Sequence, residues 1–229
     1  MYTIMVRNDD LLDTILFAAR YVSSNMTAVL VGGIVIALSF LVIGLPFFLG
    51  YITRCMKEIV QGNGVMPQWD DIGQMFVDGV RMTMVFFAYV IIYCIIGLVP
   101  AVPVIVFYLT NAVLLLSISL VIMALTLALV ASVFGVVFFA SWAIYANTGS
   151  VRKAINVRRV IEFVSFNPSG YLVSIVASAA IAALGVIAMS LFVTIPWAVF
   201  VMCAAVTFVY AKFYQNTLKS SSRALDWLK

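Results

Sequence analysis

Residues 82–146, within the longest uncharged run of the chain, contain no Asp, Glu, Lys or Arg. A helix needs about 20 apolar residues to cross the hydrocarbon core of a bilayer, so this run allows two or three crossings. Of the 229 residues, 65% are hydrophobic and 10% are charged, against about 45–50% and about 25% in a soluble domain. A soluble globule would leave much of this apolar surface in water. The sequence therefore predicts an all-α integral membrane protein.

We expect a single membrane domain over residues 1–229, with five to six transmembrane helices plus amphipathic interfacial helices. Apolar runs long enough to cross a bilayer alternate with polar stretches along the chain. In chain order, the predicted segments are an N-terminal amphipathic helix at 1–25, the first span at 26–51, a polar loop with an interfacial helix at 52–81, two to three spans at 82–146, a basic interfacial segment at 147–170, two spans at 171–211 and a basic tail at 212–229.

Three polar stretches carry the apolar periodicity of helices that lie on a membrane surface. Asn8 or Asp9 is predicted to cap the first of these helices, and Asp70 is predicted to cap the second. The third is the basic segment. The apolar positions are Leu11, Leu12, Ile15, Leu16, Ala18 and Ala19 in the first, Ile72, Met75, Phe76 and Val80 in the second, and Ala154, Val157, Val160, Ile161 and Val164 in the third.

Proline and glycine mark the places where the spans bend or end. Gly44 and Pro46 predict a kink or a broken helix near the end of the first span. Pro100 and Pro103 predict a break within the longest uncharged run, although two long tilted helices also fit its length. The other candidate turns are at 110–111, around Gly135 and at 194–197.

The two halves of the chain share a layout that predicts a diverged internal duplication. In each half a span ends near a tyrosine, a charged interfacial helix follows, a glycine stands near the next span, and a proline comes later. The paired residues are Tyr51 and Tyr145, Gly79 and Gly170, and Pro103 and Pro196. The alternative is chance similarity between generic membrane sequences.

Lys and Arg in short loops favour the cytoplasmic side of a membrane. This rule places the loop 152–159 and the C-terminus inside, and Arg54, Lys57 and Arg81 favour the same side for the first polar loop. With all three inside, the first span enters from outside and five spans are favoured. Six spans with the N-terminus inside is the alternative, which would leave the first polar loop outside.

The reactive side chains of the chain form no catalytic pattern. There is no histidine, and Cys55, Cys94 and Cys203 stand singly, so zinc, haem and Cys-His catalysis lack ligands. We therefore expect no cofactor and no enzyme activity. Lys and Arg are not interleaved with exposed aromatic residues, so nucleic acid is not an expected partner. Capping and solvation are expected to account for the clustered carboxylates, which are Asp70, Asp71 and Asp78.

The predicted spans contain no charged residue, which argues against a proton-coupled pump. Hydroxyl and amide side chains are predicted to hydrogen-bond across helices; they are Asn111, Ser117, Ser119, Thr126, Ser132 and Ser141. Aromatic residues near span ends predict an interfacial belt; they are Trp142, Tyr145, Tyr210 and Tyr214. Small residues are predicted to let another helix approach; they are Ala177, Ala179, Ala180, Ala182, Ala183 and Gly185.

A motif within residues 44–81 resembles that of an uncharacterised family of multi-pass membrane proteins, catalogued as domain of unknown function 4013. It combines a Gly-Tyr pair near a helix end with a Pro-x-Trp-Asp-Asp stretch, while the flanking spans agree in hydropathy alone. The resemblance implies a prokaryotic, archaeal cell membrane, and it implies no activity. The residues that carry the motif are Pro46, Gly50, Tyr51, Arg54, Pro67, Trp69, Asp70, Asp71, Phe76 and Gly79.

Two functional hypotheses follow from these features. The first is a non-catalytic structural or accessory component that assembles with itself or with other membrane subunits. The alternative is a transporter or channel for a small or lipid-like substrate, favoured by the proline-broken spans. In both cases membrane lipids are partners, and the densest basic cluster is predicted to hold anionic headgroups. That cluster is Arg152, Lys153, Arg158 and Arg159.

Overall fold

The computed structural model describes residues 11–39, 43–190 and 194–220, which are mostly helical and include no strand. The helices are α1 (Leu11–Ser23), α2 (Met26–Ser39), α3 (Gly44–Gln61), α4 (Ile72–Leu109), α5 (Val113–Thr148), α6 (Val151–Ile155), α7 (Val157–Ser165), α8 (Pro168–Ala188) and α9 (Ile195–Ser220). The predicted all-α membrane class is confirmed. Among the described residues, α4, α5, α8 and α9 are long and apolar enough to span a membrane, and α1 with α2, bent by 86°, forms a fifth candidate. The caps proposed at Asn8 or Asp9 lie outside the described residues.

The predicted first span, 26–51, includes α2 and the beginning of α3. The predicted break is found at the start of α3, where Pro46 occupies the first turn and its missing N–H costs no helical bond. The 14 residues of α2 are about 21 Å long at 1.5 Å per residue. This is shorter than the roughly 30 Å hydrocarbon core of a bilayer.

The helices α2 and α3 run in opposite directions. At one end of the pair, Gly44 lies against the backbone of Ser39. At the other, the Trp69 indole donates to the Ala28 carbonyl, 3.0 Å away, and stacks on Tyr51. The two helices therefore form an antiparallel hairpin whose open end lies next to Trp69.

Residues 52–81 do not contain a separate interfacial helix. Residues 52–61 continue α3, which ends at Gly62, whose positive φ of 102° favours glycine. Residues 72–81 are the beginning of α4. The periodicity that predicted a short surface helix belongs to a longer helix, because no Gly or Pro follows Val80 until Gly97.

Residues 82–146 lie within two long helices, α4 and α5, and the turn between them, and each helix is long and apolar enough to span a membrane. α4 has 38 residues and continues through Pro100 and Pro103, so the break predicted there is absent. Transmembrane helices tolerate proline because neighbouring groups satisfy the freed backbone carbonyls. The turn lies at 110–112, where Asn111 adopts a φ of 53°. Gly135 lies inside α5.

The halves of α4 and α5 nearest this turn form what we call the apolar arm, residues 91–133. Its two helices contact each other through side chains such as Tyr93, whose hydroxyl donates to the Leu127 carbonyl. Much of the remaining circumference is exposed; Ile95 is 60% exposed and Leu125 is 67% exposed. Of the 18 most apolar consecutive residues of α4, 0% are buried inside the protein, and of those of α5, 6% are buried.

The basic segment forms two short helices that meet at Asn156, whose side chain accepts from the Arg159 N–H and caps α7. This break changes the predicted buried face. Ala154 and Val160 are buried as expected, but Ile161 is 56% exposed and Phe163 takes its place. The Phe163 ring stacks on Tyr214 of α9 at 4.7 Å.

The first part of the predicted tail belongs to the core, because α9 continues to Ser220. Phe213 and Tyr214 are buried, and the Gln215 amide donates to the carbonyls of Ile59 and Val60. Residues 221–229 lie outside the described residues. On the preceding helix, Ala177 is buried while Ala179 and Ala183 remain exposed.

The structure differs from two predictions, one about hydroxyl groups that bond across helices and one about a belt of interfacial aromatic residues. The hydroxyls of Ser117, Ser119, Thr126 and Ser132 donate to carbonyls of their own helix rather than across helices. Ser141 does bond to another element, at the Ala154 carbonyl. The predicted interfacial aromatics are buried inside the protein instead of facing lipid; they are Trp142, Tyr145, Tyr210 and Tyr214.

Several helix ends meet at one end of the bundle, which we call the polar end. Gln215 joins the ends of α9 and α3, and Asn147 donates to the Tyr214 hydroxyl at 2.9 Å. The first polar loop, the basic segment and the end of α9 therefore lie together. The start of α2 lies there as well, since the Asn25 amide donates to the Met66 carbonyl.

The predicted duplication stays a prediction. Its paired prolines occupy different places, since Pro103 lies inside α4 and Pro196 is the second residue of α9. The helices that follow the two charged segments also differ in length, with 38 residues in α4 and 21 in α8.

Candidate functional site

The motif residues meet where α3 crosses α4 near the polar end. Gly50 and Gly79 allow this crossing, because a Cβ added at Gly50 would overlap the Met75 carbonyl oxygen. A Cβ added at Gly79 would overlap the Pro46 carbonyl oxygen. The two backbones are therefore in direct contact at positions where only glycine fits.

A second group of motif residues connects the loop 62–71 to the hairpin. The Tyr51 hydroxyl donates to the Pro67 carbonyl at 2.7 Å. The Tyr51 ring stacks on Trp69 with centroids 4.0 Å apart. The Trp69 indole in turn bonds to the Ala28 carbonyl. This chain of contacts fixes the loop against both helices of the hairpin.

Arg54 is held between two carboxylates. Its guanidinium forms ion pairs with Asp70 and with Glu58, and it also donates to the Asp70 carbonyl at 2.9 Å. Partial burial alone lowers the pKa of Arg54, but the hydrogen bonds to Asp70 and Glu58 outweigh it and raise the pKa above its ordinary value. The side chain thus remains charged and orders the loop.

The N-cap of α4 is Asp71 and not Asp70, which corrects the prediction. The Asp71 carboxylate accepts from the Gln74 N–H at 3.4 Å, and its backbone has a positive φ of 52°. Asp70 is instead used by Arg54. The last motif residue, Phe76, packs against Phe47 with centroids 5.2 Å apart.

We expect Asp71→Ala to destabilise the protein by roughly 0.5–2 kcal/mol, because the N–H groups at the start of α4 would lose their side-chain acceptor. Asp71→Asn should change stability little, since asparagine caps equally well. Asp70→Ala should cost less than about 1 kcal/mol, because the Asp70 side chain is 64% exposed. Equilibrium unfolding in detergent micelles, followed by far-UV circular dichroism, measures all three. A larger loss for Asp70→Ala than for Asp71→Ala would contradict this assignment.

Beside the motif, α3, α4 and the end of α5 enclose a pocket of about 620 Å³ that opens at the polar end. This volume lies within the range of small-molecule sites. Its charged lining consists of Arg54, Lys57, Glu58, Asp71, Asp78 and Arg81. Gly50 and Met75 also line the pocket, so the helix crossing limits its depth.

The deeper wall of the pocket is held by hydrogen bonds from α5. The Trp142 indole donates to the Thr53 hydroxyl at 2.8 Å, and Thr53 donates to the Leu49 carbonyl. The Tyr145 hydroxyl reaches the Asp78 carbonyl at 3.5 Å. Over the described part of the chain, no three carboxylate or thiol side chains converge as a metal site.

The family described as "Protein of unknown function (DUF4013)" matches residues 31–194 of this chain. The chain belongs to this family. The match extends well beyond the motif at 44–81 and includes the apolar arm and the basic segment. No curated protein and no solved structure matches the chain.

The basic residues predicted to hold lipid headgroups lie on the short helices α6 and α7, within the family match. Arg152, Arg158 and Arg159 are exposed, and Arg158 pairs with Glu162 at 3.5 Å. They are absent from the lining of the pocket. The charged pocket and the basic cluster on α6 and α7 are therefore two separate features of the structure.

Sequence reasoning missed the pocket in this family member. Its signal was present, because Arg54, Lys57 and Gln61 recur at i, i+3 and i+7 on α3, and Gln74, Asp78 and Arg81 recur at i, i+4 and i+7 on α4. Such spacing places each set on one helix face. The contribution of Asn147 from α5 carried no comparable signal.

Proposed function

We propose that this protein is a non-catalytic structural component of an archaeal cell membrane that assembles with copies of itself through the apolar arm. The observation that carries the proposal is the arm itself, whose helices contact little of the chain beyond each other. At 38 residues, α4 is about 57 Å long. Such a length presents far more apolar surface than one crossing of a bilayer needs.

Helices associate in lipid by close packing rather than by a hydrophobic driving force. Small residues make that packing possible, and α5 carries Ala124, Ala128 and Ala131 exposed at i, i+4 and i+7. Because they point away from the rest of the chain, a helix from another copy fits this face. Other membrane subunits are the competing occupants.

The proposal assigns no catalysis and no cofactor, because each motif side chain has a structural use in packing, pairing or capping. Its partners are further copies and membrane lipids. The polar end faces the cytoplasm under the positive-inside rule, since it carries Arg54, Lys57 and the basic segment. Anionic headgroups bind at that segment through Arg152, Lys153, Arg158 and Arg159, each contributing about 1 kcal/mol.

A transporter is the second candidate, favoured by the polar pocket. Two observations weigh against it. The Gly50–Gly79 crossing limits the depth of the pocket, and the groove beside Pro46 and Val80 on the far side is lined by apolar atoms. A transported polar solute would need a continuous polar path through this crossing.

Ala128→Leu should weaken self-association by about tenfold, because the larger side chain prevents close helix contact. The matched control is Leu129→Phe, which enlarges the neighbouring exposed residue off the small-residue face. Fluorescence energy transfer between labelled copies, measured as lipid dilutes them in vesicles, gives the association constant. Equal behaviour of both variants, or a lone monomer with transport activity, would overturn the proposal. If the protein is instead purified together with defined foreign subunits, its partners are those subunits and not further copies of itself.

A further inference from the structure

The charged pocket at the polar end has a use that self-assembly does not require. Three cationic side chains and three carboxylates line it. A pocket for a simple anion would carry excess positive charge, and one for a cation would carry excess negative charge. Balanced charge in one cavity instead suits a ligand that carries both signs.

One wall of the pocket favours a cation. Residues 145–149 at the C-terminal end of α5 line it, and the C-terminus of a helix carries a partial negative charge. Asp78, whose side chain is 27% exposed, also lines the pocket. Its contact with Arg81 is a loose 3.8 Å, which leaves the carboxylate able to accept from an ammonium group.

The α3 wall favours an anion with several acceptor oxygens. Among the described residues, Lys57 forms no ion pair, unlike its neighbour Arg54. The amides of Gln61, on α3, and of Gln74, on α4, also line the pocket and add N–H donors to the ammonium of Lys57. Several donors in one cavity suit the oxygens of a phosphate group.

We propose that this pocket binds a small zwitterion carrying a phosphate and an ammonium group. The phosphate contacts Lys57, and the ammonium lies toward Asp78 and the end of α5. The ligand is either the headgroup of a membrane phospholipid or a soluble phosphoamine. The pocket opens at the polar end, where bilayer headgroups lie, so both sources have access to it.

The test uses the full chain in detergent micelles and measures binding by isothermal titration calorimetry. The soluble probe is glycerophosphoethanolamine, which carries the two charges without tails, and the lipid probe is a short-chain phosphatidylethanolamine. Glycerol phosphate and ethanolamine each supply one charge alone. Lys57→Gln and Asp78→Asn are compared with Lys219→Gln and Asp13→Asn, whose exposed side chains lie outside the pocket.

We expect one site per chain, with binding weakened about tenfold or more by Lys57→Gln and by Asp78→Asn, and unchanged in both controls. Lys57→Arg should restore binding. Binding of both probes identifies a site for the soluble zwitterion, while binding of the lipid alone, with the same dependence on Lys57, identifies the headgroup.

Equal binding of glycerol phosphate, or binding that ignores the Lys57 and Asp78 substitutions, would overturn the proposal. The unfolding midpoints of the variants are measured as well, and unchanged midpoints show that weaker binding does not come from loss of the fold. Self-association in vesicles is measured on the same preparations, so failure of this site and failure of the proposed assembly are distinguishable.

Discussion

Replacing Gly79 by alanine should be among the most damaging single-methyl changes in this protein. The added Cβ would overlap the Pro46 carbonyl oxygen, which belongs to a helix backbone and has no rotamer to adopt. α3 and α4 would have to separate, and the contacts beside the crossing would loosen with them. We expect a loss at or above the upper end of roughly 1–3 kcal/mol, the usual cost of overpacking.

The matched control is Gly73→Ala in the same helix, where an added Cβ meets nothing within 4 Å. This change should leave stability unchanged or raise it by up to about 1 kcal/mol, since alanine restricts the unfolded chain. Gly50→Ala should behave like Gly79→Ala, because its Cβ would overlap the Met75 carbonyl oxygen. Unfolding by added SDS in mixed micelles measures all three. Equal stabilities for Gly79→Ala and Gly73→Ala would mean that the crossing is looser than described.

The distribution of charge was sufficient to predict the membrane class, because a run such as 82–146 has few alternatives to crossing a bilayer. It was insufficient to divide 26–51 into a hairpin. Hydropathy records which residues avoid water, and a chain that enters and returns has the same hydropathy as one that crosses. The open end of the hairpin is held by contacts between distant residues: Trp69 with Ala28, 41 residues apart, and Tyr51 with Pro67, 16 residues apart.

The sequence supplied the motif residues through the family resemblance, but it did not predict the pocket beside them. Spacing along the chain did not distinguish a helix cap from an ion pair. The cap predicted at Asp70 is formed by Asp71, because Asp70 pairs with Arg54. The pocket beside them also needs the end of α5 as a wall. In the chain, that end is separated from α3 by the whole apolar arm.

The interior aromatics show the same limit. Trp142 and Tyr145 lie near the end of an apolar run, which is where an interfacial belt is expected. Their partners are Thr53 and the backbone of Asp78, which lie 89 and 67 residues away in the chain. A sequence pattern of local range cannot distinguish a ring that faces lipid from one that packs against a distant helix.

Trp69→Ala should destabilise the protein by about 3 kcal/mol, the lower end of the roughly 3–5 kcal/mol found when a buried Trp or Phe is truncated. Trp69 is half-buried, and it makes two contacts that no other residue replaces. One is the stack on Tyr51 at 4.0 Å, and the other is the hydrogen bond to the Ala28 carbonyl. Its loss would remove these two contacts and leave the Tyr51–Pro67 hydrogen bond and the Arg54–Asp70 ion pair to hold the loop 62–71.

Trp69→Phe separates the two contacts, because phenylalanine retains an aromatic face over Tyr51 and lacks the indole N–H. We expect a loss of about 1 kcal/mol, the usual net value of one hydrogen bond, measured by SDS unfolding and far-UV circular dichroism. Limited proteolysis of the loop 62–71 should accelerate in Trp69→Ala and stay near the wild-type rate in Trp69→Phe. If Trp69→Phe were as damaging as Trp69→Ala, the hydrogen bond to Ala28, and not the stack, would hold the hairpin to the loop. Unchanged proteolysis in both would mean that Arg54, through Asp70, is sufficient to hold it.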